Sequence, residues 1–255
     1  MNENYFSLIR LGLSTGGILV FLLLELAIPY RPSTVSKPKR WAINIGMSLM
    51  NSILLTVIFR GAIIASAAYA QSQNAGVLNM LDFPQWFRVL ATLVFMDFML
   101  YVWHLLNHEM PLLWRFHRVH HADLNMDVST ATRFHIGELM ISAVIKMGLV
   151  YFIGADLLAV IIFESALVLS AQFHHSSLRV PVWFEKYFWI LFVPPSMHRI
   201  HHSVVIKERN TNYGTVFSLW DRFFGTMRSG LDQDRIKIGV GAYPVSYTHL
   251  RAHET

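Results

Sequence analysis

The sequence lacks cysteine altogether, and only 15% of its 255 residues carry a charge. Without cysteine the chain forms no disulfide, iron–sulfur cluster or thiol nucleophile, so any metal must be bound by His, Asp or Glu. Hydrophobic residues make up 54% of the chain, which is too apolar for an ordinary soluble domain and predicts a membrane protein. The net charge of +5 comes with no basic stripe interleaved with aromatic residues, so it favours anionic membrane surfaces over nucleic acid as a partner.

Five apolar segments occupy most of the first two thirds of the chain. Segments 8–30, 41–70 and 85–106 are long enough to span a bilayer, which takes about 20 residues. Segments 137–153 and 156–171 are shorter and predict a hairpin that dips into the membrane or just crosses it. The first segment has no small-residue cleavage site, so we interpret it as a retained helix rather than a signal peptide.

The distribution of charge predicts the topology. The basic loop 31–40 should lie on the cytoplasmic side, and counting spans from it places the histidine-bearing stretches 104–135 and 174–202 on that same side. Residues 173–230 interleave aromatic and charged side chains, as expected of a cap at the membrane interface. We therefore expect an all-α fold, an integral membrane bundle of about 4–5 transmembrane or re-entrant helices. Its cytosolic helical cap should hold a histidine-rich site for two metal ions.

Three parts of the chain are predicted to differ in role. Residues 1–96 carry the N-terminal transmembrane helices, residues 97–230 carry the histidines, and residues 231–255 form a C-terminal tail. The last ten residues, "SYTHLRAHET" (246–255), are polar, and we expect them to be non-native, with the natural C-terminus missing. The alternative is a genuine disordered tail. His249 and His253 are therefore discounted as metal ligands.

Ten of the 13 histidines form spaced clusters. On a helix, residues three and four apart share a face, so His104 and His108 can bind one metal, and each His-x-x-His-His triplet offers three imidazoles from one short helix. One ion rarely takes more than about four or five protein ligands, so this number of donors predicts two ions. The clusters are His104 and His108; His117, His120 and His121; His174 and His175; and His198, His201 and His202.

The identity of the metal stays open at this level. All-imidazole coordination suits Zn, Cu, Fe or Ni. No His-Glu-x-x-His frame is present, so zinc-protease chemistry is unsupported, and the Glu-x-x-His pattern of soluble diiron bundles is absent too. A histidine-rich tract can also be a flexible metal-buffering loop, but these clusters are regularly spaced and flanked by aromatic residues.

The same stretches resemble a known family. Between about residues 97 and 228, the elements "DFMLYVWHLLNH", "LLWRFHRVHHADLNMDVSTATRFH", "FHHSSLRVP", "PPSMHRIHHS" and "NTNYGTVFSLWDRFFGT" are similar to the fatty acid hydroxylase/sterol desaturase superfamily, most of all to bacterial sterol desaturase family proteins. The resemblance implies a membrane-embedded non-haem diiron centre that uses O2 to hydroxylate or desaturate a lipid. It also implies an external electron donor, such as a ferredoxin or a cytochrome b5-like protein, because the sequence has no flavin or NAD fingerprint.

The resemblance also implies individual roles. The chain departs from the family pattern at Leu105, where Arg is frequent, at Ala122, where Ser is frequent, and in "RFHIGE", where "RFHPLE" is common. None of these changes removes a ligand, so we expect activity with an altered substrate or donor. The implied metal ligands are His104, His108, His117, His120, His121, His198, His201 and His202, with His175 at the family's His-Ser element and His174 beside it.

Metal-bound imidazoles need an acceptor for their second nitrogen, which directs attention to nearby polar residues. Asp97 lies seven residues before His104 on the same helical face, and an acid inside a membrane segment is usually functional. Arg133 is predicted to bind a lipid headgroup or to pair with Glu138, and Asp221 to support the site or merely to cap a turn. Further candidates are His135, Asn212, Asp123, Asp127 and Glu138, whereas Glu25 and Glu164 are predicted to make only polar contacts between helices.

These observations favour an O2-dependent membrane lipid hydroxylase or desaturase with two iron ions, in a bacterial inner membrane with its active site on the cytoplasmic side. Carotenoid hydroxylation and ether-lipid oxygenation would use the same ligands. A non-catalytic membrane metal-binding or transport protein is a different class, and it predicts histidines or acids along the spans rather than at one surface. A catalytically silent scaffold predicts missing ligands, and none is missing.

Overall fold

The computed structural model describes residues 3–59 and 62–241, so the tail 246–255 with His249 and His253 lies outside the described residues. The described chain is all-α, with helices joined by short turns, three 3₁₀ turns and isolated β-bridges. The helices are α1 (Glu3–Ala27), α2 (Lys37–Phe59), α3 (Ala62–Ser72), α4 (Gln85–Glu109), α5 (Pro111–His121), α6 (Ile136–Ile153), α7 (Leu157–His175), α8 (Val182–Phe188), α9 (Pro195–His201), α10 (Ile206–Arg209) and α11 (Leu219–Phe223).

Four stretches of the described residues are long and apolar enough to cross a membrane: Lys37–Asn79, α4, α6 and α7. The prediction of an integral membrane helical bundle is therefore confirmed. The helices α6 and α7 are 18 and 19 residues long, which at 1.5 Å per residue gives about 27–29 Å and nearly matches the hydrocarbon layer. The predicted segment 41–70 corresponds to α2, which ends at Phe59, and α3, which begins at Ala62; residues 60 and 61 lie outside the described residues.

The turn between α6 and α7 shows how the sequence "GAD" ends one helix and starts the next. Gly154 terminates α6 in the left-handed conformation with φ of 72°, and Asp156 caps α7 by accepting a hydrogen bond from the Ala159 amide. Gly76, with φ of 97°, approaches so closely that a Cβ atom there would lie 2.3 Å from the Gly154 nitrogen. An apolar cluster that includes Met96 and Phe163 packs beside this turn and fixes the end of the bundle away from the histidines.

A charged clamp ties α2 to the turn that follows α5. Arg40 donates to Asp123 and, at 2.8 Å, to Asp127, and Asn44 donates to Asp123 at 2.9 Å. Burial alone would raise the pKa of Asp123, but hydrogen bonding and charge from Arg40 outweigh it and hold that pKa below its ordinary value. Asp123 and Asp127 therefore anchor the helix that carries three histidines. We had predicted that they contact the imidazoles, but their described hydrogen bonds go to other residues.

Two acids within apolar runs make structural contacts, as predicted. Glu25 accepts hydrogen bonds from the backbone amides of Val128 and Ser177, at 2.7 and 2.9 Å, and pairs with Lys37. In the span pair α6–α7, Glu164 forms an ion pair with Lys146 at 2.7 Å. Both carboxylates are buried, so a cationic partner is what makes their burial tolerable.

The cap formed by α8 to α11 covers the histidine end of the bundle. Its outer surface exposes large apolar side chains, with Val182 at 84% and Phe223 at 81% exposure and Trp183 and Tyr187 nearby. On its inner side, the Phe188 ring packs on Phe173 near the end of α7. Exposed aromatic residues next to a spanning helix are typical of a segment seated in the membrane interface.

Candidate metal centre

Four helices bring the predicted ligands together. His104 and His108 lie on the last two turns of α4, and His175 is the final residue of α7. The short helices α5 and α9 carry one triplet each, and both begin with proline at the first helical position, where its fixed φ favours helix initiation and its missing N–H costs nothing. The cap helix α9 thus supplies one face of a site whose other faces come from the membrane bundle.

The structure divides nine of these histidines into two groups, within each of which the ligand nitrogens all lie within 4.8 Å of one another. Each triplet is split between the groups. Counted from the first histidine of a triplet, the histidine four residues on is rotated by about 40° around the helix axis. The histidine three residues on is rotated by about 60° in the opposite direction, so it points to a different group. The first group contains His104, His108, His117, His121 and His201, and the second contains His120, His175, His198 and His202.

In the four-histidine group, the Nε2 atoms face one another. His175 Nε2 lies 3.0 Å from His120 Nε2 and 2.9 Å from His198 Nε2, and His198 Nε2 lies 3.1 Å from His202 Nε2. Nitrogens that each bind one ion at about 2.1 Å, at right angles, would be about 3.0 Å apart. The spacing of these four nitrogens therefore fits a single transition-metal ion.

In the five-histidine group, the Nε2 atoms of His108, His117, His121 and His201 are buried, and none has a hydrogen-bond partner among the described residues. Buried polar atoms are almost always paired, so a cluster of unpaired imidazole nitrogens points to a missing ligand shared by all of them. A metal ion satisfies several such nitrogens at once. Both groups therefore fit a bound cation.

Hydrogen bonds at Nδ1 orient most of the rings. When Nδ1–H donates to an acceptor, the tautomer is fixed and Nε2 is left with its lone pair towards the centre of the group. Four of the acceptors are backbone carbonyls, one is a carboxylate, and one, at 3.4 Å, is a side-chain amide. The Nδ1 pairs are His104 with Tyr213 O, His117 with Glu138, His120 with Arg133 O, His175 with Ala171 O, His201 with Thr211 O, and His108 with Asn210.

Burial keeps the imidazoles in the form that binds metal. The pKa values of His121, His201 and His202 are held well below their ordinary range, first by desolvation and then by the charge of neighbouring imidazoles. These side chains are therefore neutral at physiological pH. Neutral imidazole is the ligand form, so the free protein needs to lose few protons to bind metal.

His174 lies outside both groups. Its ring centroid is 4.0 Å from that of His198, but its hydrogen bond goes to the backbone of Thr215. The side chain is buried and lines the same cavity as the ligands. The structure thus places His174 against the four-histidine group and does not bring it into the set of converging nitrogens, where we had predicted it.

Asp97, Asn212 and Asp221 were predicted to contact the histidines, but their described hydrogen bonds go to the cap, so they support the site indirectly. Asp97 accepts hydrogen bonds from the backbone of Val216 and Phe217 and from Trp220 Nε1. Asn212 donates to the carbonyls of Met197 and Arg228, and Asp221 accepts from the amides of Tyr213 and Gly214. The segment they hold presents the carbonyls that accept from His104 and His201.

The side chains of Arg133 and His135 make hydrogen bonds with the backbone rather than with the histidine ligands. Arg133 donates to Val119 O and to Asn44, instead of pairing with Glu138. His135 caps α6, since its Nδ1 accepts a hydrogen bond from the Gly137 amide, and it lies in neither histidine group. Among the predicted supporting residues, Glu138 contacts the ligand His117 through its side chain, and Arg133 contacts His120 through its backbone carbonyl. A backbone carbonyl that accepts from a histidine cannot be recognised from the sequence, because any residue can supply it. Asn210, the side-chain acceptor for His108, lies in a polar stretch and could have been proposed.

A cavity of about 370 Å³ opens onto both groups. It runs between α2, α4, α6 and α7 and is lined by ligands of both groups, including His104 and His198. Its apolar walls include Leu55, Leu100 and Phe134. A volume in the range of about 300–1,000 Å³ is typical of small-molecule sites, and the position between membrane helices suits a guest that arrives from the bilayer.

Comparison with known proteins identifies the family. Its description is "Fatty acid hydroxylase", and its profile matches residues 89–226, more than half of the chain. The chain belongs to the fatty acid hydroxylase family. The matched region contains all nine histidines of the two groups, so the resemblance inferred from the sequence is confirmed. No solved structure matches the chain.

Similar characterised proteins are named as hydroxylases and monooxygenases. The chain is 27% identical to ornithine lipid hydroxylase OlsE of Rhizobium tropici, over 88% of the chain and 68% of that protein. It is 28% identical to alkylglycerol monooxygenase of Xenopus tropicalis, over 81% of the chain and 45% of the relative. It is also 28% identical to human cholesterol 25-hydroxylase, over 55% of the chain and 51% of the relative. The chain therefore spans about half the length of the latter two relatives, and the family is one of oxidoreductases.

Proposed function

We propose that the protein is an O2-dependent membrane lipid hydroxylase whose histidine groups bind two iron ions. The observation that carries this proposal is the convergence of nine buried imidazoles into two groups at the mouth of an apolar cavity. Iron is favoured over zinc because activation of O2 needs a reducible metal. The relatives' names favour insertion of oxygen over desaturation, which we had left open.

The protein's own residues would bind the metals, orient the lipid and exclude water. The Nδ1 contacts, such as that of His117 with Glu138, hold the ligand rings in place. Apolar side chains such as Leu100 and Phe134 keep water away from the substrate carbon. Electrons would come from a separate carrier, a ferredoxin or a cytochrome b5-like protein, because the chain has no flavin or NAD fingerprint.

For location, we propose a bacterial inner membrane with the site on its cytoplasmic side. The basic segment 31–40 lies at the histidine end of the bundle, where Arg40 pairs with Asp123 beside α5. Positive charge next to the membrane favours the cytoplasmic side. The relative from Rhizobium tropici supports a bacterial setting and suggests ornithine lipid as the first substrate to test. Alkylglycerols and sterols follow as alternatives from the other two relatives.

The test begins with the purified protein in detergent or nanodiscs. After anaerobic loading with Fe²⁺, we expect two irons per chain and O2 uptake that depends on both lipid and reductant. A product heavier by one oxygen supports hydroxylation, and loss of two hydrogens would instead establish desaturation. The variants His117→Ala and His198→Ala, one in each group, should lose turnover. Stoichiometric zinc without turnover after iron loading would contradict the proposal and favour a metal-binding protein.

A further inference from the structure

Two asparagines at the cavity carry hydrogen-bonding atoms that the protein itself does not use. Asn107 is 1% exposed, and neither its Nδ2 nor its Oδ1 has a partner among the described residues. Asn51 is 2% exposed; its Nδ2 donates to Phe134 O at 2.8 Å, and its Oδ1 is left without a described partner. Both side chains line the cavity that opens onto the histidines.

Such atoms are costly unless a ligand pairs with them. Leaving a buried donor or acceptor unpaired forfeits its hydration, and native proteins tolerate few such groups. Asn107 lacks both partners, so exchanging its oxygen and nitrogen would change nothing. For Asn51, the carbonyl of Phe134 accepts from the amide, which identifies the nitrogen and leaves the oxygen as the free atom. The cavity therefore offers free acceptors as well as a free donor.

The unused atoms include more acceptors than donors. Besides the two asparagine oxygens, Glu138 Oε2 and Gln172 Oε1 line the cavity and have no partner among the described residues, while Glu138 Oε1 accepts from His117. Asn107 Nδ2 is a free donor, and the Nδ1 atoms of His174 and His198, which also line the cavity, have no partner among the described residues. A guest that satisfies this set must supply N–H or O–H groups and one acceptor, which neither an ester, an ether nor a hydrocarbon chain can do.

The position of the two amides is close to the metal groups. Asn107 lies on α4 between the ligands His104 and His108, one residue before the latter. Asn51 holds the backbone of Phe134, and the Phe134 ring stacks on His120 with a centroid separation of 4.5 Å. One amide thus adjoins the five-histidine group and the other adjoins a member of the four-histidine group.

We propose that Asn51 and Asn107 form a substrate subsite for a lipid group that carries N–H or O–H donors beside an acceptor, such as a secondary amide or a hydroxyl. The inference rests on the proposed function only in taking the occupant of the cavity to be the substrate. It assigns the end of the cavity nearest the histidines to the polar part of the lipid, while the apolar walls hold its hydrocarbon part.

The experiment measures binding, so it does not depend on turnover. Wild-type protein loaded with redox-inert Zn²⁺ in nanodiscs is titrated with two matched pairs of lipids, an N-acyl amide with its O-acyl ester and an alcohol with its methyl ether. Each pair differs by one donor hydrogen. We expect the donor-bearing member to bind about tenfold or more tightly, because its counterpart leaves buried acceptors unpaired. The pair with the larger difference in affinity shows whether an amide or a hydroxyl is the preferred donor.

The variant Asn107→Leu should lose this discrimination and bind both members of each pair alike. Because Asn107 has no described partner within the protein, the variant should keep its thermal stability, which a structural asparagine would not. Asn51→Leu should reduce discrimination as well. The matched control Leu55→Met changes the same cavity without adding or removing a hydrogen-bonding atom, so it should discriminate as the wild type does.

Equal binding of both members by the wild type would overturn the subsite, and so would an Asn107→Leu variant that still discriminates. The first result would mean that water alone pairs with these atoms. Failure of the proposed function appears differently. If iron-loaded protein never turns over but the binding preference and its loss in Asn107→Leu are seen, the subsite stands and the oxygenase proposal falls.

Discussion

The carboxylate of Glu138 gives the sharpest test of the two-group arrangement. Its Oε1 accepts the Nδ1 hydrogen of His117 at 2.8 Å, and both side chains are about 5% exposed or less. His117 belongs to the five-histidine group, whereas the Nδ1 atoms in the four-histidine group that have described partners donate to backbone carbonyls. Replacing Glu138 by Leu should therefore weaken one metal site and spare the other.

Two independent arguments give the size of the effect. Removing a carboxylate that supports a metal-bound histidine typically lowers metal affinity about 10- to 100-fold, which corresponds to about 1.4–2.7 kcal/mol. A hydrogen bond to a charged group is worth about 1.5–3 kcal/mol. The two ranges agree, so we expect one of the two metal equivalents to weaken by one to two orders of magnitude. Glu138→Gln, which keeps an acceptor but loses the charge, should weaken it less.

The assay is competition for Zn²⁺ between the detergent-solubilised protein and a chelator, with the two equivalents resolved. Asp156→Asn is the matched control, since it removes a carboxylate charge at the opposite end of α6 and α7. It should leave both affinities unchanged. Wild-type affinity at both sites in Glu138→Leu would refute the role of Glu138. Equal weakening of both sites would refute the division of the histidines into separate groups.

Three further predictions concern stability. Arg40→Met leaves the two buried carboxylates of the clamp without their cationic partner and should cost about 3–5 kcal/mol. Arg40 holds the pKa of Asp123 below its ordinary 3.8, so the wild-type clamp stays ionised at both pH 5 and pH 8. Without Arg40, burial raises that pKa, so the loss should be largest at pH 8 and smaller at pH 5, where the variant's carboxylates can take up a proton. Gly76→Ala would drive a Cβ atom into backbone and should cost about 1–3 kcal/mol. Lys146→Met removes the ion pair that Glu164 forms between two spans and should destabilise the protein by about 1.5–3 kcal/mol.

All three are measured by chemical denaturation or thermal unfolding in one detergent. Lys39→Met, on an exposed residue next to the clamp, is the control for Arg40→Met and should be near neutral. A loss that grows between pH 8 and pH 5 would contradict the argument for Asp123. Gly148→Ala, where a Cβ atom meets nothing within 4 Å, is the control for Gly76→Ala. Adding Glu164→Leu to Lys146→Met should restore most of the stability, and failure to do so would argue against the ion pair.

Much of the fold was predictable because it depends on local pattern. The apolar runs gave the spanning helices, and "GAD" gave the turn between α6 and α7, since glycine permits the left-handed end and aspartate caps the next helix. The partners of Asp97 and Asp221 could not be read from the sequence. A buried acid signals a partner, but the sequence does not say that the partners are backbone amides more than 100 residues away for Asp97.

The sequence by itself determined which imidazoles could converge, because helical spacing of three and four puts them within reach of one another whatever the rest of the chain does. The tertiary structure alone decided how they are shared. It separates His120 from His117 and His121, and His201 from His198 and His202, because residues that point in different directions from one short helix meet different neighbours. The tertiary structure also decided which backbone carbonyls accept from the imidazoles and which asparagine atoms are left without a described partner. Both depend on how distant helices pack around the cavity.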